Sequence, residues 1–144
     1  MWNEAISEYQ TALRLDPEYT GARNGLAEAE YNLGLALAKA GRQSDAAAHL
    51  EAALRARPEY PEAHNNLGVV LSQDPARIND AIGHFEAALR LDPNYADAHV
   101  NLGVALSQLP GRIPDAIAQL EAAERIQPDP EVRQMLEKLI AEIH

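Results

Sequence analysis

Three asparagines, Asn32, Asn66 and Asn101, recur at spacings of 34 and 35 residues. A carboxamide can donate to a carbonyl and accept from an N–H, which is the chemistry of recognition and not of bond-making. Four of the five histidines also recur, His49 with His84 and His64 with His99, each pair 35 residues apart. Imidazole is both a proton carrier and a metal ligand. A metal centre needs its ligands within about 2.1 Å of one ion, whereas equivalent places in successive helical units lie about 8–10 Å apart. The pairing of equivalents therefore predicts no metal and no cofactor. No glycine-rich phosphate loop, HExxH or Ser-His-Asp pattern is present, and there are no cysteines for thiol catalysis. The expectation is a protein that is not an enzyme.

Repeated side chains require repeated elements to carry them. "AHNNLGVVLSQ" at Ala63 to Gln73 returns as "AHVNLGVALSQ" at Ala98 to Gln108, with nine of eleven letters unchanged. Prolines at Pro17, Pro58, Pro93 and Pro128, spaced 41, 35 and 35, mark the same period along the whole chain. A period of this length indicates an array in which each unit buries its apolar face only against its neighbours. Within a unit the apolar period is helical: Ala63, Leu67, Val70 and Leu71, then Ala81, Ile82, Phe85, Ala88 and Leu89. The breaks "KAGRQSD", "SQDPARIND" and "SQLPGRIPD" are polar or prolyl, with Asp45, Asp80 and Asp115 placed to cap or favour the following helix. Each unit is thus two helices.

Bulk composition narrows the functional classes. At 144 residues and 47% hydrophobic, the chain has ample material for one core. Twelve Lys and Arg against 22 Asp and Glu leave a net charge of −10, which argues against phosphate-backbone binding and hence against a nucleic-acid partner. No apolar run approaches the ~20 residues of a membrane span, and no basic-then-apolar leader opens the sequence, so a cytoplasmic protein without a membrane partner is expected.

The repeated residues resemble the tetratricopeptide repeat. Its Leu-Gly pair, large residue three beyond the glycine, Ala-x3-aromatic or Leu, further Ala and Pro are matched by Leu67, Gly68, Leu71, Ala81, Phe85, Ala88 and Pro93. Leu102, Gly103, Leu106, Ala116, Leu120, Ala123 and Pro128 match again, as do Leu33, Gly34, Leu37, Ala46, Leu50, Ala53 and Pro58. Ala5, Tyr9, Ala12 and Pro17 match only the second half. The resemblance implies an all-α, right-handed solenoid of antiparallel helix pairs with about eight helices, in one array over 1–144. The expected divisions are a half repeat at 1–17, a repeat with an extended first helix at 18–58, repeats at 59–93 and 94–128, and a C-terminal capping helix at 129–144.

Three departures from regularity carry expectations of their own. The chain opens on what resembles a second helix, whose Trp2, Ile6 and Leu13 are either covered by something else or free to self-associate into a homo-oligomer. Against the ~34-residue length of a tetratricopeptide repeat, the 41-residue spacing holds seven extra residues, and seven residues return to nearly the same helix face. One long helix from about Thr20 to Ala40 is predicted, with Gly21 and Gly25 as its weak points and a break at Gly25 as the alternative. Residues "DPEVRQMLEKLIAEIH" form an amphipathic helix without a Leu-Gly pair, with Asp129 as cap and Pro130 as first residue.

In this family the first helices line a concave surface. Some members, the O-linked N-acetylglucosamine transferases above all, hold an extended peptide there through an asparagine in repeat after repeat. By that resemblance Asn32, Asn66 and Asn101 form a ladder on which each carboxamide meets every third peptide unit, since first helices are about 10 Å apart and an extended chain advances about 3.3 Å per residue. Asn65, Val69 and Val104 would add contacts, and Glu62 and Asp97 negative charge. The competing reading is that each asparagine only ties neighbouring helices together. A second family mode clamps a C-terminal carboxylate with Lys and Arg, but the corresponding places here hold Asn65, Val100, Glu62 and Asp97. The implied function is a scaffold binding a protein or peptide segment, expected to be basic. The alternatives are a self-assembly module or a non-catalytic piece of a larger glycosyltransferase-like protein.

Overall fold

Apolar residues at steps of three and four become eight α-helices in a computed structural model that describes every residue from Met1 to His144. They are α1 (Trp2–Leu15), α2 (Thr20–Lys39), α3 (Gln43–Ala56), α4 (Pro61–Leu71), α5 (Ile78–Leu91), α6 (Ala96–Ser107), α7 (Ile113–Ile126) and α8 (Pro130–Glu142). There is no strand. Each helix packs on the next along the chain, and α2, α4 and α6 also touch in series, so the array is a tetratricopeptide-style solenoid with its first helices sharing one face. No helix is long and apolar enough to cross a membrane.

Close helix pairing rests on missing side chains. A Cβ placed on Gly68 would sit 2.5 Å from the Phe85 ring, one on Gly34 2.9 Å from Leu50, and one on Gly103 2.9 Å from Leu120. These are distances at which real Cβ atoms are not found, so α4, α2 and α6 approach their second helices only because glycine stands there. Ala46, Ala81 and Ala116 are wholly buried beside them. Around these contacts Leu67, Leu71, Ile82, Leu102 and Leu106 join one continuous core that spans α3 to α7.

Turn chemistry explains where helices stop. Gly41 and Gly111 have φ of 80° and 74°, the left-handed conformation that glycine adopts without a Cβ penalty. At the first, the Arg42 N–H reaches back to the Leu37 carbonyl at 2.9 Å, closing a Schellman turn. The middle unit replaces this turn with a single 3-10 turn at Pro75–Arg77. Asp45 and Asp80 do not cap helices. They lie in the first turns of α3 and α5 and accept from Arg42 and Arg77, with Asp115 and Arg112 paired in the same way. Asp129 does cap, accepting from the Glu131 N–H at 2.8 Å ahead of Pro130.

The long helix is continuous. α2 runs unbroken for 20 residues through both Gly21 and Gly25. Gly25 is a contact and not a weak point, because a Cβ there would lie 2.4 Å from the Tyr9 ring of α1. The extra heptad thus gives α2 two close approaches, one to α1 and one to α3. In α1, Ile6 is buried and Trp2 and Leu13 are half-buried.

α8 packs on α7 through buried Val132 and Leu136. Glu137 follows Leu136 where glycine follows Leu67 and Leu102. A second helix laid on α8 as α5 lies on α4 would meet that side chain. Of the tyrosines two residues after Pro17, Pro58 and Pro93, Tyr60 is buried and Tyr95 half-buried, while Tyr19 is 54% exposed.

Two glycine-to-alanine changes separate propensity from packing. Gly83 on α5 meets nothing within 4 Å of a built Cβ, so Gly83→Ala gains helix propensity of about 1 kcal/mol and raises the melting temperature by about 2–4 °C. Gly68→Ala gains the same propensity but must displace the buried Phe85 ring, an overpacking cost of about 1–3 kcal/mol. Thermal unfolding should show the first variant above the parent and the second below it. Equal melting points would contradict the packing described.

Candidate functional site

Because α2, α4 and α6 touch in series, side chains from each can meet on the face they share. A cleft of about 270 Å³ opens there between α4, α6 and α8. Asn65, Asn66, Val69, Asp97 and Asn101, five of the eight residues expected on the sequence, line it. Val100, Asp129, Glu131, Val132 and Met135 complete the lining. Val104 belongs to an adjoining apolar cleft of about 250 Å³ with Leu120, Met135 and Leu139, and Met135 is common to both. Glu62 and Asn32 are exposed outside these clefts.

The asparagines tie the first helices together. Asn101 on α6 donates to Asn65 Oδ1 on α4 at 3.0 Å, and Asn65, itself buried, donates to the Tyr95 hydroxyl at 3.4 Å. Asn66 on α4 donates to the Tyr31 hydroxyl on α2 at 3.0 Å and to the Glu62 carbonyl at 2.9 Å. Asn32 makes no side-chain bond. The sequence predicts a donor and an acceptor from each carboxamide, but Asn66 has committed both N–H groups and keeps only Oδ1. Asn101 retains one N–H and its Oδ1.

Aromatic side chains support this face. Tyr31 packs 4.9 Å from Tyr60, and the Arg57 guanidinium lies 3.7 Å over the Tyr60 ring. Burial pushes the Tyr60 phenol up to about 12 despite that cation, and burial likewise raises Tyr31 and Tyr95. All three hydroxyls remain protonated at neutral pH, and those of Tyr31 and Tyr95 accept from Asn66 and Asn65. Sequence reasoning missed Tyr31, Asp129, Glu131, Val132 and Met135. The signal for Tyr31 was its register, 34 residues before Asn65. Met135 likewise stands 34 after Asn101, a register hidden because α8 has no Leu-Gly pair.

The histidines serve a different, repeated purpose. His64 Nε2 lies 3.0 Å from the Pro58 carbonyl and its Nδ1 3.1 Å from His84 Nδ1 on α5. His99 does the same one unit on, with Nε2 2.9 Å from the Pro93 carbonyl and Nδ1 2.8 Å from Gln119 on α7. One ring therefore holds both the preceding prolyl turn and the second helix. The sequence compared equivalents 35 apart, whereas the structure joins His64 to the non-equivalent His84. In the extended unit the two tasks fall seven residues apart on two side chains. Arg23 donates to the Pro17 carbonyl at 2.9 Å, and buried Glu30 meets His49 Nδ1 at 2.6 Å.

Comparison with known proteins places these features in a family. Models described as tetratricopeptide repeats match residues 2–36 and 76–139, and one described as a TPR repeat matches 34–74. No curated protein matches the chain. Among solved structures, the first TPR of Spaghetti (RPAP3), bound to the HSP90 peptide SRMEEVD, is 19% identical with a TM-score of 0.77, covering 81% of this chain and 92% of that one. YrrB, described as a TPR protein with an unusual peptide-binding site, is 23% identical with a TM-score of 0.68, covering 95% and 84%. The Arabidopsis OM64 TPR domain is 17% identical with a TM-score of 0.77, covering 81% and 96%. At these identities the likeness is one of fold.

The paired imidazoles give a pH dependence. Burial lowers the pKa of His64, against the bond to Pro58, and burial followed by the charge of its partner lowers His84. The folded state thus prefers both rings neutral, and the unfolded chain takes up more protons once pH falls below its ordinary value near 6.5. The pair's contribution is present above about pH 6.5 and is lost as pH falls through the depressed folded values. Denaturation measured from pH 8 to 5 should show this loss, and His84→Gln should flatten it while leaving a pairing like that of His99 with Gln119. An unchanged slope in that variant would contradict the assignment.

Proposed function

Since the chain belongs to the tetratricopeptide-repeat family, we propose that the face of α2, α4, α6 and α8 binds an extended polypeptide segment, and that this binding, without catalysis, is the protein's role. The observation that carries the proposal is the cleft lining: three carboxamides, apolar Val69, Val100, Val132 and Met135, and acidic Asp97, Asp129 and Glu131, with no lysine or arginine among them. Carboxamides with unused acceptors suit peptide N–H groups, and the valines and Met135 suit alternate apolar side chains. Peptide binding by Spaghetti and YrrB supports the reading at the level of the fold.

Charge sets the proposed preference. The Spaghetti peptide SRMEEVD carries three acidic residues, which the carboxylates here would repel. A basic and apolar segment is complementary to them. Self-assembly through Trp2, Ile6 and Leu13 is the weaker reading, because Ile6 is buried and the other two are half-buried.

A peptide array mixing basic-apolar and acidic sequences tests this. Binders should be enriched in Lys or Arg beside Leu, Ile or Val. Asp97→Lys with Glu131→Lys, both exposed and both in the first turns of their helices, should remove them at a cost in stability of only about 0.3–1 kcal/mol per site, leaving the protein folded. Asn66→Ala with Asn101→Ala should weaken binding by about 5- to 150-fold, two bonds at about 0.5–1.5 kcal/mol each. Unaltered affinity in a folded double variant would make the ladder purely structural.

A further inference from the structure

We propose that His64 and His84 form a bidentate site for a divalent first-row transition cation of the zinc class, bridging α4 and α5. Their Nδ1 atoms lie 3.1 Å apart. Two nitrogens bound tetrahedrally at about 2.0–2.1 Å stand about 3.3 Å from each other, so the observed separation is within a few tenths of an ångström of a chelating bite. Such a fit is specific to this unit, since its counterparts pair histidine with Glu30 or Gln119.

The surroundings match what an imidazole ligand needs. A ligating histidine donates its other ring N–H to a carbonyl or carboxylate, which fixes the tautomer and the ring. His64 Nε2 is so placed against the Pro58 carbonyl, leaving the Nδ1 lone pair for an ion. In the neutral pair His84 carries its proton on Nδ1. On binding, that proton moves to His84 Nε2, and no net proton is released. Glu51 on α3 and Asp80 on α5 act on His84 with charge that favours a cation, while Arg77 beside His84 and Arg90 beside His64 oppose it. No group of three or more His, Asp or Glu converges anywhere in the chain, so water completes the coordination sphere and the site is a modest one.

The third unit supplies its own controls. Gln119 pairs with His99 at 2.8 Å, so His84→Gln keeps a side chain able to bond His64 Nδ1 but removes one ligand. Gln119→His installs the missing imidazole opposite His99. Zinc chloride is titrated into the parent and both variants at pH 7.5 and followed by calorimetry and thermal unfolding. The parent is expected to bind one more zinc than His84→Gln, with a melting temperature that rises with zinc in the parent and not in His84→Gln, and an affinity loss of about tenfold or more in that variant. Gln119→His is expected to bind one more zinc than the parent, and binding should weaken at pH 5.5, where protons compete. Weak sites at the terminal amine and His144 are common to all three proteins and cancel. Equal zinc uptake by parent and His84→Gln overturns the proposal. Should His84→Gln melt too early to titrate, absence of an added zinc in Gln119→His overturns it instead.

Discussion

Close approach of paired helices is the constraint on which the rest of the structure depends. Gly34, Gly68 and Gly103 face Leu50, Phe85 and Leu120 at distances that leave no room for a Cβ. Dispersion falls off so steeply with separation that a gap of an ångström forfeits a quarter to a half of each contact. Glycine's cost in helix propensity, about 1 kcal/mol, is therefore offset by the packing of a large side chain from the opposite helix. Where Glu137 replaces glycine in α8, this mode of pairing is closed.

Close pairs must also be held at a fixed angle to the next pair. The prolyl turns leave carbonyls that need donors, and Arg23, His64 and His99 supply them from six residues further on. In two units the same imidazole reaches the second helix as well. A heptad inserted in α2 moves the turn and the Leu-Gly pair apart by two helical turns, beyond the reach of one ring, and two side chains divide the work. Asn66 and Asn101 tie first helix to first helix, so the face proposed for peptide binding is also part of the joint between units.

Helix pairs, period, the unbroken α2 and the cap of α8 were legible in the sequence because each depends on local pattern: apolar steps of three and four, Leu-Gly pairs, Asp129 before Pro130. Five cleft residues were legible for the same reason, as register fixes the face on which Asn66 or Asp97 lies. Other features depend on geometry between helices. That Asn66 has spent both N–H groups follows from the Tyr31 hydroxyl one unit back, and the contact of His64 with His84 joins positions that share no register. Gly25 read as a weakness because its partner, Tyr9, lies in a helix whose packing angle no spacing reveals.

Stacking in single file is the central claim, and native-state hydrogen exchange resolved by residue measures it most directly. In such an array each unit's stability is its own plus that of its neighbours' interfaces. The account predicts greatest protection in α4, α5 and α6, which contribute most of the continuous core, falling through α2 and α7 to least in α1 and α8. A single protection level throughout, or a maximum in the terminal helices, would contradict it.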